Sequence, residues 1–99
     1  MKTTTIDIKS TCSGTLTNND GLALLYAIEN VLRDTDAVIL SFAGIDTIST
    51  SFLNSSLGEI VEKHGLIQLK GRILIKNYTP AVGAMVQKYM LNLKKLELL

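Results

Sequence analysis

Residues 37–58 read AVILSFAGIDTISTSFLNSSLG, and the fold turns on how that stretch divides. Ala37, Val38, Ile39, Leu40 and Phe42 form a run too continuously apolar to leave one face in water, as in a buried sheet strand. The run breaks at Ala43-Gly44. Past Ile45, Asp46, Thr47 and Ile48 comes a hydroxyl cluster, Ser49-Thr50-Ser51, and behind it Leu53, Leu57, Ile60, Val61 and His64 recur at helical spacing. A strand feeding a helix through a short polar turn puts that turn at the carboxyl end of the sheet, the usual position of function in α/β proteins.

Working outward, the helix begins with Ser49 or Thr50 as its cap and stops at Gly65, where a left-handed conformation costs glycine nothing. Residues 66–70 read as a short connection, and Ile73, Leu74 and Ile75 as a second buried strand ending at Lys76-Asn77-Tyr78. Thr79-Pro80 starts a last helix, with Val82, Met85, Val86, Tyr89, Met90, Leu93 and Leu96 on one face and Lys88, Lys94 and Lys95 late in it, where positive charge suits the dipole. On the amino-terminal side, residues 3–9 alternate, with Thr4, Ile6 and Ile8 facing one way, as in a half-buried strand towards a sheet edge. Residues 10–17 read equally as a loop or as a short return strand through Thr15-Leu16. Thr17 to Asp20 supply caps for a helix that buries Leu24, Leu25, Ile28, Val31 and Leu32.

The order is strand, helix, strand, helix, strand, helix, with room for one extra strand early on. That alternation predicts an α/β layer fold, a small mostly parallel or mixed sheet of three to five strands with right-handed crossovers, built as one domain over residues 1–99.

Composition narrows the function classes. A formal net charge of +1 gives no electrostatic case for nucleic acid or an anionic membrane as the main partner. The lone Cys12 rules out an internal disulfide and any cysteine cluster for a metal, which suits a reducing cytoplasm. Met1-Lys2 leads into threonines with no apolar run behind them, so the segment does not read as a signal peptide.

The chemistry of the side chains points away from an enzyme. Ser or Cys nucleophiles need a base within hydrogen-bond reach, and the one histidine, His64, lies roughly 20 Å along the helix from Ser51 at the α-helical rise. His64 reads instead as a residue interacting with the carbonyls of a helix end. Phosphate loops of the GxxxxGK[ST] and GxGxxG kinds do not occur. No cofactor or metal is expected. Tyr26, Tyr78 and Tyr89 are scattered and read as residues at the rim of the core. In the hydroxyl cluster, capping is the ordinary role; the functional one is a hydroxyl exposed at a helix amino end, where free N–H donors and the dipole accept a phosphate.

The block VILSFAGIDTISTSFLNSSLG resembles the central motif of STAS domains, the fold of anti-anti-sigma factors, in which a hydrophobic strand leads through Gly to an Asp-Ser-Ser-Gly helix start. More closely, the Ser51-Phe52-Leu53-Asn54 step, His64-Gly65 after the helix, and the turn from Lys76-Asn77-Tyr78 to Pro80 are similar to STAS-like domains of unknown function, over about residues 14–90. Such domains are small bacterial and phage-associated proteins or neighbours of histidine-kinase-type ATPase modules. By that resemblance Ile48 matches the hydrophobic position before the motif, Ser49 stands at the family's aspartate and Thr50 at its first serine. Ser51 stands at the serine that a partner kinase phosphorylates in anti-anti-sigma factors. Phe52 replaces the following glycine, and Ser41 the aspartate of the strand.

The resemblance implies a non-enzymatic, cytoplasmic regulatory module that binds a protein partner, a histidine-kinase-like ATPase or serine kinase, through Ser49, Thr50, Ser51 and Asn54, with Ser51 as phospho-acceptor. Two other readings stand beside it. One is a sensor holding a nucleotide or another anion at the same helix terminus; the other is a homodimeric scaffold joined through residues 96–99.

Overall fold

The computed structural model describes residues 2–98, with side chains up to Lys94. Three parallel strands, β1 (Thr3–Asp7), β2 (Ala37–Ser41) and β3 (Ile73–Lys76), form a sheet in the order β1-β2-β3. The apolar run at β2 is thus the central strand, and the alternating segment at β1 is an edge.

Register explains how the sheet makes a core. Thr4 and Ile6 pair with Val38 and Leu40, which pair with Ile73 and Ile75, so six side chains line one face. All the crossover helices cover that face. Both βαβ units advance in the same direction across the sheet, and right-handed crossovers then put their helices on the same side. The opposite face carries Thr3, Thr5, Asp7, Leu74 and Lys76, all exposed, around a half-buried Ile39. This differs from the expectation for so apolar a β2. Ala37 and Ser41, small enough to be shielded by their neighbours, are buried on the face that no helix covers.

The α1 turn (Ile8–Thr11) ends β1 earlier than its alternation suggests, because Ile8 points into the core from a helical turn instead of a strand. Thr15 and Leu16 form bends, not a return strand. Helix α2 (Asn18–Leu32) starts with a capping box: the Asp20 amide donates to Thr17 Oγ1 at 3.1 Å, and Asp20 Oδ2 accepts from the Thr17 amide at 3.3 Å. At its other end Arg72 donates from Nη2 to the carbonyls of Leu32 (2.6 Å) and Thr35 (3.1 Å), joining the α2 terminus to the start of β3.

The second crossover is helical from residue 50 to residue 64, in three parts: α3 (Thr50–Leu53), a π-helical segment (Asn54–Gly58) and α4 (Glu59–His64). Gly65 ends it with φ +82° and ψ 147°, a glycine conformation but not the left-handed helical one, and the chain re-enters one helical turn, α5 (Leu66–Leu69), where a plain connection is expected. Helix α6 (Pro80–Leu98) is capped by Thr79, whose Oγ1 accepts from the Val82 amide at 3.1 Å. It buries Val82 and Val86 and leaves Met85, placed by the spacing on the same face, 39% exposed.

Phe42 and Phe52 sit at the centre of the core, 1% and 0% exposed, each burial worth roughly 1.5–3 kcal/mol. Cys12 is buried beside them as a space-filling residue; burial, and secondarily the Asp20 carboxylate, pushes its thiol above the ordinary 9.0. Residues 96–99, the expected homodimer contact, lie outside the described side chains. Among the described residues no helix is long and apolar enough to cross a membrane.

Candidate functional site

The carboxyl end of β2 is built by a tight turn. The Phe42 amide continues the ladder to the Lys76 carbonyl at 2.9 Å, and the Ile45 amide then closes back on the Phe42 carbonyl at 3.0 Å. Gly44 supplies the φ of +79° that the turn requires. Ser41, where the resemblance expects an aspartate, is buried, and its Oγ accepts from Asn77 Nδ2 at 3.0 Å. The hydroxyl therefore ties the ends of β2 and β3 together. Asn77, at φ +60°, holds the turn out of β3.

Beyond the turn, Ile45 and Ile48 anchor the loop in the core while Asp46 and Thr47 remain exposed. The bends at 15–17 then clamp the loop to the start of α2. Thr15 Oγ1 donates to the Thr47 carbonyl at 2.6 Å, the Ser49 amide to the Thr15 carbonyl at 3.1 Å, and Ser49 Oγ to the Leu16 carbonyl at 2.8 Å. Ser49 Oγ also accepts from the Phe52 amide at 3.0 Å, which makes Ser49 the helix cap. Its hydroxyl is engaged in both directions and its side chain is half-buried, so of the four residues expected to meet a partner it is the one committed to the fold.

Phe52 turns fully inward, and that leaves Thr50 and Ser51 on the surface. Among the described residues the Ser51 hydroxyl has no hydrogen-bond partner, and neither do the amides of Thr50 and Ser51, the open donors of a first helical turn. Asn54, also exposed, accepts from the Tyr89 hydroxyl through Oδ1 at 2.6 Å. The Tyr89 ring reaches it across Gly58, where a Cβ would come within 2.4 Å of the phenol oxygen. Burial, with a smaller contribution from Glu59, raises the Tyr89 hydroxyl above its ordinary 10.0.

Two buried serines complete the site, and the spacing of apolar residues gives no sign of them. Ser55 Oγ donates to the Ser51 carbonyl at 3.0 Å, and Ser56 Oγ to the Phe52 carbonyl at 2.7 Å, so hydroxyls serve the carbonyls of the widened π turn. Ser55 also marks the crossing with α2. A Cβ on Gly21 would lie 1.8 Å from Ser55 Oγ and 2.5 Å from the Phe52 carbonyl oxygen, so the two helices touch backbone to backbone there. Only the packing reveals them, because a glycine at the first turn of one helix comes to face small residues of another.

His64 is not at this site. Its Nε2 lies 3.1 Å from Glu29 Oε1 of α2, with Lys63 3.9 Å from the other carboxylate oxygen, and this surface pairing replaces the expected interaction with helix carbonyls. Among the described residues no three His, Cys, Asp or Glu side chains come together as metal ligands.

The architecture defines the class, a small α/β module with a parallel sheet whose most elaborated turn leads into a serine-rich helix start. Residues 20–82 match the family described as the STAS-like domain of unknown function (DUF4325), and the chain belongs to that family. The match runs from the first turn of α2 into the first turn of α6 and contains the whole of 37–58. No curated protein and no solved structure matches the chain.

Proposed function

We propose that this STAS-like domain is a non-enzymatic regulatory module that binds a protein partner through Thr50, Ser51 and Asn54, the partner being an ATPase or kinase of the histidine-kinase-like fold, and that phosphorylation of Ser51 switches the contact. The observation that carries this reading is the division of labour along four consecutive residues. Ser49 is locked as the cap and Phe52 is locked in the core, while Ser51 between them presents an unengaged hydroxyl beside two open amide donors. A phosphate there adds about −1.5 to −2 charge at a helix amino terminus, where the dipole and the free amides tolerate it, so modification alters the surface without unfolding it. The buried ring of Phe52, in place of the glycine of the anti-anti-sigma motif, directs Ser51 outward and leaves a kinase access to it.

The test is capture of a purified histidine-kinase-like ATPase, together with intact-mass measurement after incubation with that enzyme and ATP. The expected results are capture by the unmodified chain, a mass increase of one phosphate that Ser51→Ala abolishes, and loss of capture by Ser51→Asp with an unchanged circular dichroism spectrum. Equal capture by Ser51→Asp, or an unmodified mass beside an active kinase, sinks the switch.

A further inference from the structure

At the outer edge of β3 the sheet stops while apolar side chains continue beyond it. The Val38 amide bonds to the Arg72 carbonyl at 2.7 Å and the Phe42 amide to that of Lys76, so Arg72, Leu74 and Lys76 direct their backbone groups towards β2. By the same alternation Ile73 and Ile75 direct theirs to the outer edge, and there they have no partner among the described residues. Beside that edge lies an apolar groove of about 840 Å³, with Ile73 and Ile75 along one side, Ile67 and Leu69 of α5 on another and Met90 and Leu91 of α6 on the third. Ile67 is 87% exposed and Leu91 53%, which is large apolar surface left open on two neighbouring helices.

We propose that the outer edge of β3 takes an extended segment of a partner protein as a fourth strand. The open backbone groups call for a strand, and they lie at the border of an apolar floor that has no strand above it. The occupant's side chains must alternate. Those on the helix side continue the row made by Val38, Leu40, Ile73 and Ile75 into the groove and are apolar, while those on the other side join the exposed face of Thr5 and Lys76 and are polar. Charge fixes the flanks. Lys70 and Lys94 line the groove and Lys76 ends the strand, with no carboxylate among the described lining residues, so the segment carries Asp or Glu at its ends. The same lysines argue against a second copy of this chain, because pairing β3 with β3 brings like charges together.

The probe is a blocked nine-residue peptide, Asp-Glu-Val-Thr-Val-Thr-Val-Asp-Glu, titrated into ¹⁵N-labelled full chain. The amides of Ile73 and Ile75 should shift and exchange with solvent about tenfold more slowly, as newly bonded groups do. A peptide of the same sequence N-methylated on its pairing edge should fail to bind. Lys70→Glu with Lys94→Glu, both at exposed positions, should weaken capture several-fold at low salt and less at high salt. Equal binding of the N-methylated peptide, tighter binding of an acidic amphipathic helix, self-association through the same amides, or no shift at millimolar peptide overturns the proposal.

Discussion

The helix start at 49–54 and the outer edge of β3 are both surface regions at the rim of one sheet, yet they are built oppositely. At the helix start the frame around Thr50 and Ser51 is tied down: Thr15, Ser49, Ser55, Ser56 and Tyr89 each donate to a named acceptor, and Phe52 is sealed beneath them. At the β3 edge Ile73 and Ile75 leave backbone groups without a partner among the described residues, and Ile67 and Leu91 lie open. The difference teaches that a rigid presentation of a few exposed hydroxyls and an open apolar edge are two ways of leaving a surface available. The first suits a switch, because a covalent change alters charge on a fixed frame. The second suits a partner that supplies structure of its own.

Substitutions in the two regions should separate them most sharply in stability. Phe52→Ala removes a fully buried ring and should cost about 4 kcal/mol by urea denaturation, whereas Ile67→Ala should stay within about 0.5 kcal/mol. Similar losses at both positions would mean that the β3 side is as tightly packed as the helix start. Gly21→Ala comes next, at about 3 kcal/mol, because the new methyl meets a backbone carbonyl oxygen that cannot move without shifting a helix. Then Ser49→Ala should cost about 1.5 kcal/mol, since one hydroxyl both caps the helix and holds the Leu16 carbonyl. Ser51→Ala, two residues on, should change stability by no more than about 0.5 kcal/mol. A cost at Ser51 equal to that at Ser49 would remove the distinction between frame and presented group.

The smallest effect is a dependence on alkaline pH. The folded Cys12 thiol keeps its proton above the pH at which the unfolded one, near 9.0, releases it. The folded state therefore binds more protons in that range, so its stability is full below pH 9 and falls as pH rises beyond it. Tyr89 adds to the fall from its ordinary 10.0 upward. Cys12→Ala should flatten the first part of that slope in denaturation curves taken between pH 8 and pH 10, and an unchanged slope would contradict a buried, inert thiol.

Much of this was legible from residue order. The strand, turn and helix of 37–58, a cap within Thr17 to Asp20, one at Ser49 or Thr50 and one at Thr79 all follow from local rules, because a cap or an apolar period is decided by neighbours within a turn or two; the structure selects Thr17 and Ser49. The similarity carried by 51–54, His64-Gly65 and 76–80 pointed to the family that the match over 20–82 shows. The burial of Ser55 and Ser56 was not legible, because a serine within a helix reads as solvent-facing until Gly21 of another helix is known to approach it. Nor was the partner of His64, since Glu29 lies 35 residues earlier in the chain.

What the order of residues determined by itself is the alternation of elements and the hydroxyl cluster at the turn between β2 and α3, both products of short-range hydrogen bonding and periodicity. What only the tertiary structure decided is which members of that cluster are free. Ser49 lost its hydroxyl to the Leu16 carbonyl, 33 residues away, while Thr50 and Ser51 stayed exposed; beyond the cluster, Asn54 is exposed too, with its side chain oriented by Tyr89, 35 residues away. The same holds for β3, whose Ile73-Leu74-Ile75 reads as a buried strand. Its exposure depends on the sheet ending there, and a strand's own residues carry no record of whether another strand lies beyond it.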